Sequence, residues 1–169
     1  PSVLRIFKNS FVVNSFSKSL ALPGERIGYI AVNPEITELD LTIESLVFCN
    51  RTLGYVNAPA IFQKVIADAL NEEIDIESYK KRRNLMYDSL ISFGYKCIKP
   101  QGTFYLFPQS PIEDDVKFVK DALKYNLLLV PGTGFGLPGY FRIAYCVSPD
   151  TIQNSLPAFE ALAKDYGLK

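Results

Sequence analysis

The sequence predicts an α/β fold: a small antiparallel or mixed sheet with helices packed on it. Three observations carry this. Short apolar runs recur at 11–13, 27–32 and 127–130, the first two rich in β-branched residues. Between them lie segments whose apolar residues repeat at helical spacing. Pro and Gly clusters separate the two kinds of segment.

In chain order, Phe11-Val12-Val13 and Ile27-Gly28-Tyr29-Ile30-Ala31-Val32 read as buried strands of a larger sheet. Strands of a larger sheet without its other strands would have unpaired edges and apolar faces, so residues 1–32 are expected to be poorly ordered or paired with another copy. Asn33-Pro34 stops the second strand and opens a helix over 35–53, with Ile36, Leu39, Ile43, Leu46 and Val47 on one face. Pro59 fits the first turn of the next helix, which places Ile61, Phe62, Val65, Ile66 and Leu70 together. Asp75 caps a third helix carrying Tyr79, Arg83, Met86, Leu90 and Phe93, and Gly94 stops it. Its run Lys80-Lys81-Arg82-Arg83 lies among acidic neighbours and reads as a solvated face.

Beyond Gly94, Tyr95–Ile98 and Thr103–Phe107 flank Lys99-Pro100-Gln101-Gly102, which predicts a hairpin. Asp114 or Asp115 caps a helix ending at Asn126, and Leu127–Val130 follows as a strand. Pro131-Gly132-Thr133-Gly134-Phe135-Gly136 is no phosphate loop, because no Gly-Lys-Ser/Thr follows and a strand comes next. It reads as a tight connection with positive φ at several glycines. In the last strand, Tyr140–Cys146, Phe141, Ile143 and Tyr145 alternate with Arg142, Ala144 and Cys146. A helix capped by Ser148, with Pro149 at its first turn and a kink at Pro157, closes the chain.

Composition narrows the function. The 169 residues suffice for a domain with a core. Equal counts of 18 basic and 18 acidic residues remove the electrostatic case for nucleic acid or an acidic membrane. No apolar run approaches the ~20 residues of a membrane span, and no signal peptide is expected. Pro1 is not an initiator methionine, so the chain is expected to begin inside a larger protein. The three widely spaced cysteines point to reduced, buried thiols and a cytoplasmic location. The absence of histidine excludes a Ser-His-Asp triad, a Cys-His dyad and a His-ligated metal from this chain, and no metal site is expected. Proton transfer near neutral pH then falls to a lysine, a tyrosine or a carboxylate.

One stretch suits that chemistry. In Asn14-Ser15-Phe16-Ser17-Lys18-Ser19 a lysine follows an apolar run and is flanked by hydroxyls, and Arg26 comes after Pro23-Gly24. A strand that holds the amine, with serine hydroxyls and an arginine fork nearby, suits a Schiff-base lysine beside a bound phosphate. The alternative is a solvated lysine in a Ser-rich turn.

Ser15-Phe16-Ser17-Lys18 followed by Pro23-Gly24-Glu25-Arg26-Ile27-Gly28 resembles the cofactor-lysine motif of fold-type I pyridoxal-phosphate aminotransferases, the class I/II, aspartate-aminotransferase-like family. The likeness covers the family's C-terminal part. It implies that residues 1–35 are a remnant of the large cofactor domain, and 36–169 the interdomain helix and C-terminal small domain. Lys18 is then the catalytic lysine, with Ser15, Ser17, Lys18, Arg26 and Asn57 binding pyridoxal 5'-phosphate. Burial beside Arg26 would favour the neutral amine. Phe141-Arg142-Ile143-Ala144-Tyr145 resembles the segment whose arginine binds the substrate carboxylate. The other reading of Arg142 is a structural arginine paired with a local acid.

The implied reaction moves an amino group between an amino acid and a 2-oxo acid, in a homodimer. The family's pyridine-binding aspartate lies upstream, so this chain alone is expected to be inactive. A β-lyase or cyclase of the same fold, and a non-catalytic folded module, are the alternatives.

Overall fold

The computed structural model describes residues 2–168. The chain separates into two compact units, Pro1–Ile74 and Asp75–Lys169.

The first unit is built on a hairpin. β1 (Phe11–Ser15) pairs antiparallel with β2 (Gly28–Val32), in a register running from Phe11 opposite Val32 to Ser15 opposite Gly28. The expectation that these strands lack partners within the chain is therefore corrected: each pairs with the other along one edge. Their faces nonetheless stay open, with Val13 67% and Tyr29 44% exposed, so they are not the buried strands that their composition suggests. Between them a one-turn helix, α1 (Phe16–Ser19), leads into the Pro-Gly turn.

After β2, buried Asn33 gathers the chain. Its Nδ2 donates to the carbonyls of Leu4 (2.9 Å) and Phe7 (3.0 Å), and its Oδ1 accepts from the Glu35 amide (2.9 Å). That stitch delays the helix, and α2 spans Leu39–Thr52. α3 (Ala60–Ala69) begins after Pro59, and of its apolar face only Ile66 is buried.

The second unit holds the core. α4 (Ile76–Ser92) starts at Asp75, whose carboxylate accepts from the Ser78 amide at 2.9 Å, and stops at Gly94 with φ +94°. The basic run on α4 is only partly solvated. Arg82 donates to the Val147 carbonyl at 3.0 Å and Arg83 to the Pro100 carbonyl at 3.0 Å, so two of its four cations pin loops.

Three short strands form an antiparallel sheet in the order β3 (Tyr105–Leu106), β5 (Phe141–Ala144), β4 (Val130–Pro131). α5 (Asp115–Ala122), capped by Asp114, and α6 (Pro149–Asp165), capped by Ser148, pack their buried residues into the same core. Its centre is Tyr95, whose ring meets Phe118, Phe141 and Phe159 at centroid distances of 6.5, 5.9 and 6.4 Å. The Tyr95 hydroxyl donates to the Phe159 carbonyl at 3.2 Å, and burial raises its pKa.

This explains why residues 95–98 form no strand. Tyr95 turns inward as a plug, the Lys96 carbonyl accepts from the Gln109 amide at 2.8 Å, and Pro100 and Pro108 supply no ladder donors. Residues 127–129 likewise lie outside the sheet, which reaches only Val130. In the 131–136 loop only Gly136 has positive φ. Gly132 is required for room instead, since a Cβ there would strike the carbonyl oxygens of Leu137 and Tyr140. The expected burial of all three thiols does not hold either: Cys49 and Cys146 are exposed, and all three are free.

Candidate functional site

The lysine turn is closed by backbone bonds. The Phe16 amide donates to the Ile27 carbonyl at 3.1 Å, so residues 17–26 form an excursion whose two ends are tied together. The Leu20 and Leu22 amides both reach the Phe16 carbonyl at 3.3 Å. An eight-residue spacing in sequence thus brings Lys18 and Arg26 into one closed loop. Lys18 stands on α1, not on the strand itself: β1 ends at Ser15, which serves as the cap of α1.

That cap orders the hydroxyls. Ser15 Oγ accepts from the Ser17 amide at 3.1 Å and donates to Ser17 Oγ at 2.8 Å. The Ser15 amide in turn donates to Asn14 Oδ1 at 2.8 Å. Two hydroxyls are therefore held side by side one residue ahead of the amine. Arg26 adopts φ +52°, a left-handed conformation uncommon outside glycine, and its Nη1 donates to the Pro23 carbonyl at 2.8 Å. The expected burial of Lys18 beside Arg26 is absent, because both side chains are exposed.

An open hollow of about 650 Å³ lies in this unit, bordered by Asn14, Glu25, Arg26, Tyr29, Tyr55 and Asn57 among others. Arg26 and Asn57, distant in sequence, thus meet at one cavity. Ser15, Ser17 and Lys18 gather on the α1 turn rather than in its lining. The sequence reading missed Tyr29, Tyr55 and Glu25. Tyr29 was legible in principle: Asn14 Nδ2 donates to its hydroxyl at 3.4 Å across the hairpin, and the register puts the two residues opposite each other.

In the second unit, Arg142 sits mid-strand on β5 between buried Phe141 and Ile143, as the alternation predicts. No acid pairs with it among the described residues. Its guanidinium carbon lies 4.4 Å from the Tyr105 ring centroid and 4.5 Å from that of Phe135. Cation–π contacts of this kind stabilise the charge without consuming N–H donors. Phe135 belongs to the 3-10 turn Gly132–Phe135, which is anchored by buried Asp115. One Asp115 oxygen accepts from the Thr133 amide and the other from the Thr133 hydroxyl, both at 2.7 Å. Burial alone would raise the Asp115 pKa, but these two bonds, with the amides at the α5 start, outweigh it and hold the carboxyl below its usual value.

Comparison with known proteins gives one consistent result. The sequence profile described as "Aminotransferase class I and II" matches residues 7–159. The "Probable aspartate aminotransferase" of Methanocaldococcus jannaschii is 34% identical over 168 residues, covering 92% of this chain and 43% of that protein. The Bacillus subtilis "Aspartate aminotransferase" is 32% identical, covering 96% of this chain and 43% of that protein. Among solved structures, an amino transferase from Eubacterium rectale superposes with TM-score 0.86 at 42% identity, covering 99% of this chain and 42% of that one. The chain spans less than half the length of the relatives it matches.

Proposed function

Because the chain belongs to the aminotransferase class I and II family, we propose that it is part of a pyridoxal-phosphate-dependent enzyme that moves an amino group between an amino acid and a 2-oxo acid. The observation that carries this reading is the closed loop of residues 16–27 with its cap Ser15, which joins the amine of Lys18, the paired hydroxyls of Ser15 and Ser17, and Arg26.

The donor set fits the cofactor. An aldehyde requires a primary amine, and a phosphate requires hydroxyl donors and a cation; all of these stand on one loop and its cap residue. When bound, pyridoxal phosphate supplies that aldehyde and an electron-withdrawing ring. Lys18 Nζ would be the group that holds the cofactor covalently. Freed from the cofactor, the same amine would hold the proton removed from the substrate Cα and pass it on rather than back to Cα, as amino transfer requires. Ser15 and Arg26 would hold the phosphate, with Ser17 as a weaker hydroxyl donor and Asn57 as a further phosphate contact. Arg142 grips the substrate α-carboxylate through paired N–H donors and so fixes the Cα–H bond for cleavage.

In this reading residues 1–35 belong with the large cofactor domain and 36–169 with the interdomain helix and small domain. The full protein is a cytoplasmic homodimer, and the chain alone is inactive. The test is an assay of the full-length protein with an amino acid and an added 2-oxo acid. The expected result is amino transfer that depends on the oxo acid. Release of ammonia and pyruvate without it would instead indicate lyase chemistry. Activity that survives Lys18→Ala would indicate a module in which this loop does no chemistry.

A further inference from the structure

We propose that Phe135 and Tyr105 are positioning residues that clamp the Arg142 guanidinium and keep its N–H edge free for a carboxylate. The inference rests on the reading of Arg142 as the carboxylate-binding group.

Three features support it. First, both rings lie within cation–π distance of the guanidinium carbon, at 4.4 and 4.5 Å, and neither uses one of its N–H donors. Second, no hydrogen bond or ion pair holds the Arg142 side chain among the described residues, so the two rings restrain it. A long arginine side chain without such restraint would lose rotamer entropy on binding an anion. Third, both rings are themselves fixed. Tyr105 stands on β3 in register with Ala144, one strand position diagonal to Arg142 on the same face. Phe135 is half exposed, yet its turn is bolted to buried Asp115 through Thr133, and its ring packs edge-on against Phe107 at 5.9 Å. The chain Asp115–Thr133–Phe135–Arg142 thus runs from a rigid helix start to the binding group.

The ligand class is a planar carboxylate met edge-on, since that geometry matches paired guanidinium donors. The clamp acts on affinity for the carboxylate and not on proton transfer.

The experiment follows the Arg142 Nε–Hε resonance of this chain, assigned by its loss in Arg142→Lys, while sodium acetate is added at constant ionic strength. Acetate is expected to shift the wild-type signal. Phe135→Leu, which keeps an apolar side chain but removes the ring, is expected to weaken acetate binding by roughly fivefold, within the range of one cation–π contact. Phe135→Tyr is expected to restore it. Thr133→Val, which frees the turn from Asp115, is expected to weaken binding in the same direction. In the full-length protein, Phe135→Leu should raise KM for the 2-oxo acid by a larger factor than it lowers kcat. If Phe135→Leu binds acetate as tightly as wild type, the clamp is overturned while Arg142 remains a carboxylate site. If acetate leaves the wild-type resonance unmoved, the carboxylate reading of Arg142 falls and takes the clamp with it.

Discussion

Arg142 illustrates how a charge can be tolerated inside an apolar strand. Its neighbours Phe141 and Ile143 are buried, while its own side chain emerges between two aromatic rings, so the cost of an unpaired buried cation is avoided. Replacing it by lysine keeps the charge and loses the paired donors. Arg142→Lys in the full-length protein is expected to raise KM for carboxylate substrates by roughly tenfold or more, the loss of one charge-assisted hydrogen bond. Steady-state kinetics with a 2-oxo acid would check this. Asp115 permits a second prediction, on pH. Its folded pKa is lowered, so its contribution to stability is present above the unfolded carboxylate pKa and is lost as pH falls through the folded value. Urea midpoints measured from pH 6 down to pH 3 are expected to fall more steeply for wild type than for Asp115→Asn. Parallel curves would show that the Thr133 bonds carry no such linkage.

Helix ends were the most legible elements, because the signals are local. Asp75, Asp114 and Ser148 each accept from the third amide onward, as a capping residue should. Gly94 stops α4 in the left-handed region, and a Cβ there would also meet the Leu168 carbonyl oxygen at 2.6 Å. Gly94→Ala is therefore expected to cost more than the ~1–2 kcal/mol of a left-handed alanine, measured as a lowered denaturation midpoint. Strands were less legible. The alternation around Arg142 gave β5 its correct faces, since one side of that strand is buried. Tyr95–Ile98 has strand composition as well, yet Tyr95 is used as the core's central ring and the backbone follows it out of the sheet. Sequence alone does not say which aromatic residue the core will claim. The lysine loop was recognised from its residue pattern, but its closure by the Phe16–Ile27 bond was not, because that bond depends on hairpin register.

The two compact units differ in how far they satisfy themselves. The large apolar cluster lies wholly within residues 79–168, whereas the first unit leaves Val13, Val47, Phe48 and Tyr55 at least half exposed. Residues 75–169 expressed alone are expected to melt cooperatively, as a unit with its own core does; a broad, non-cooperative melt by circular dichroism would refute this. The central claim concerns the other unit. The most direct measurement is borohydride reduction of the full-length, pyridoxal-phosphate-loaded protein, followed by peptide mapping. The account predicts one modified lysine, Lys18. Label on other lysines with Lys18 unmodified would contradict it.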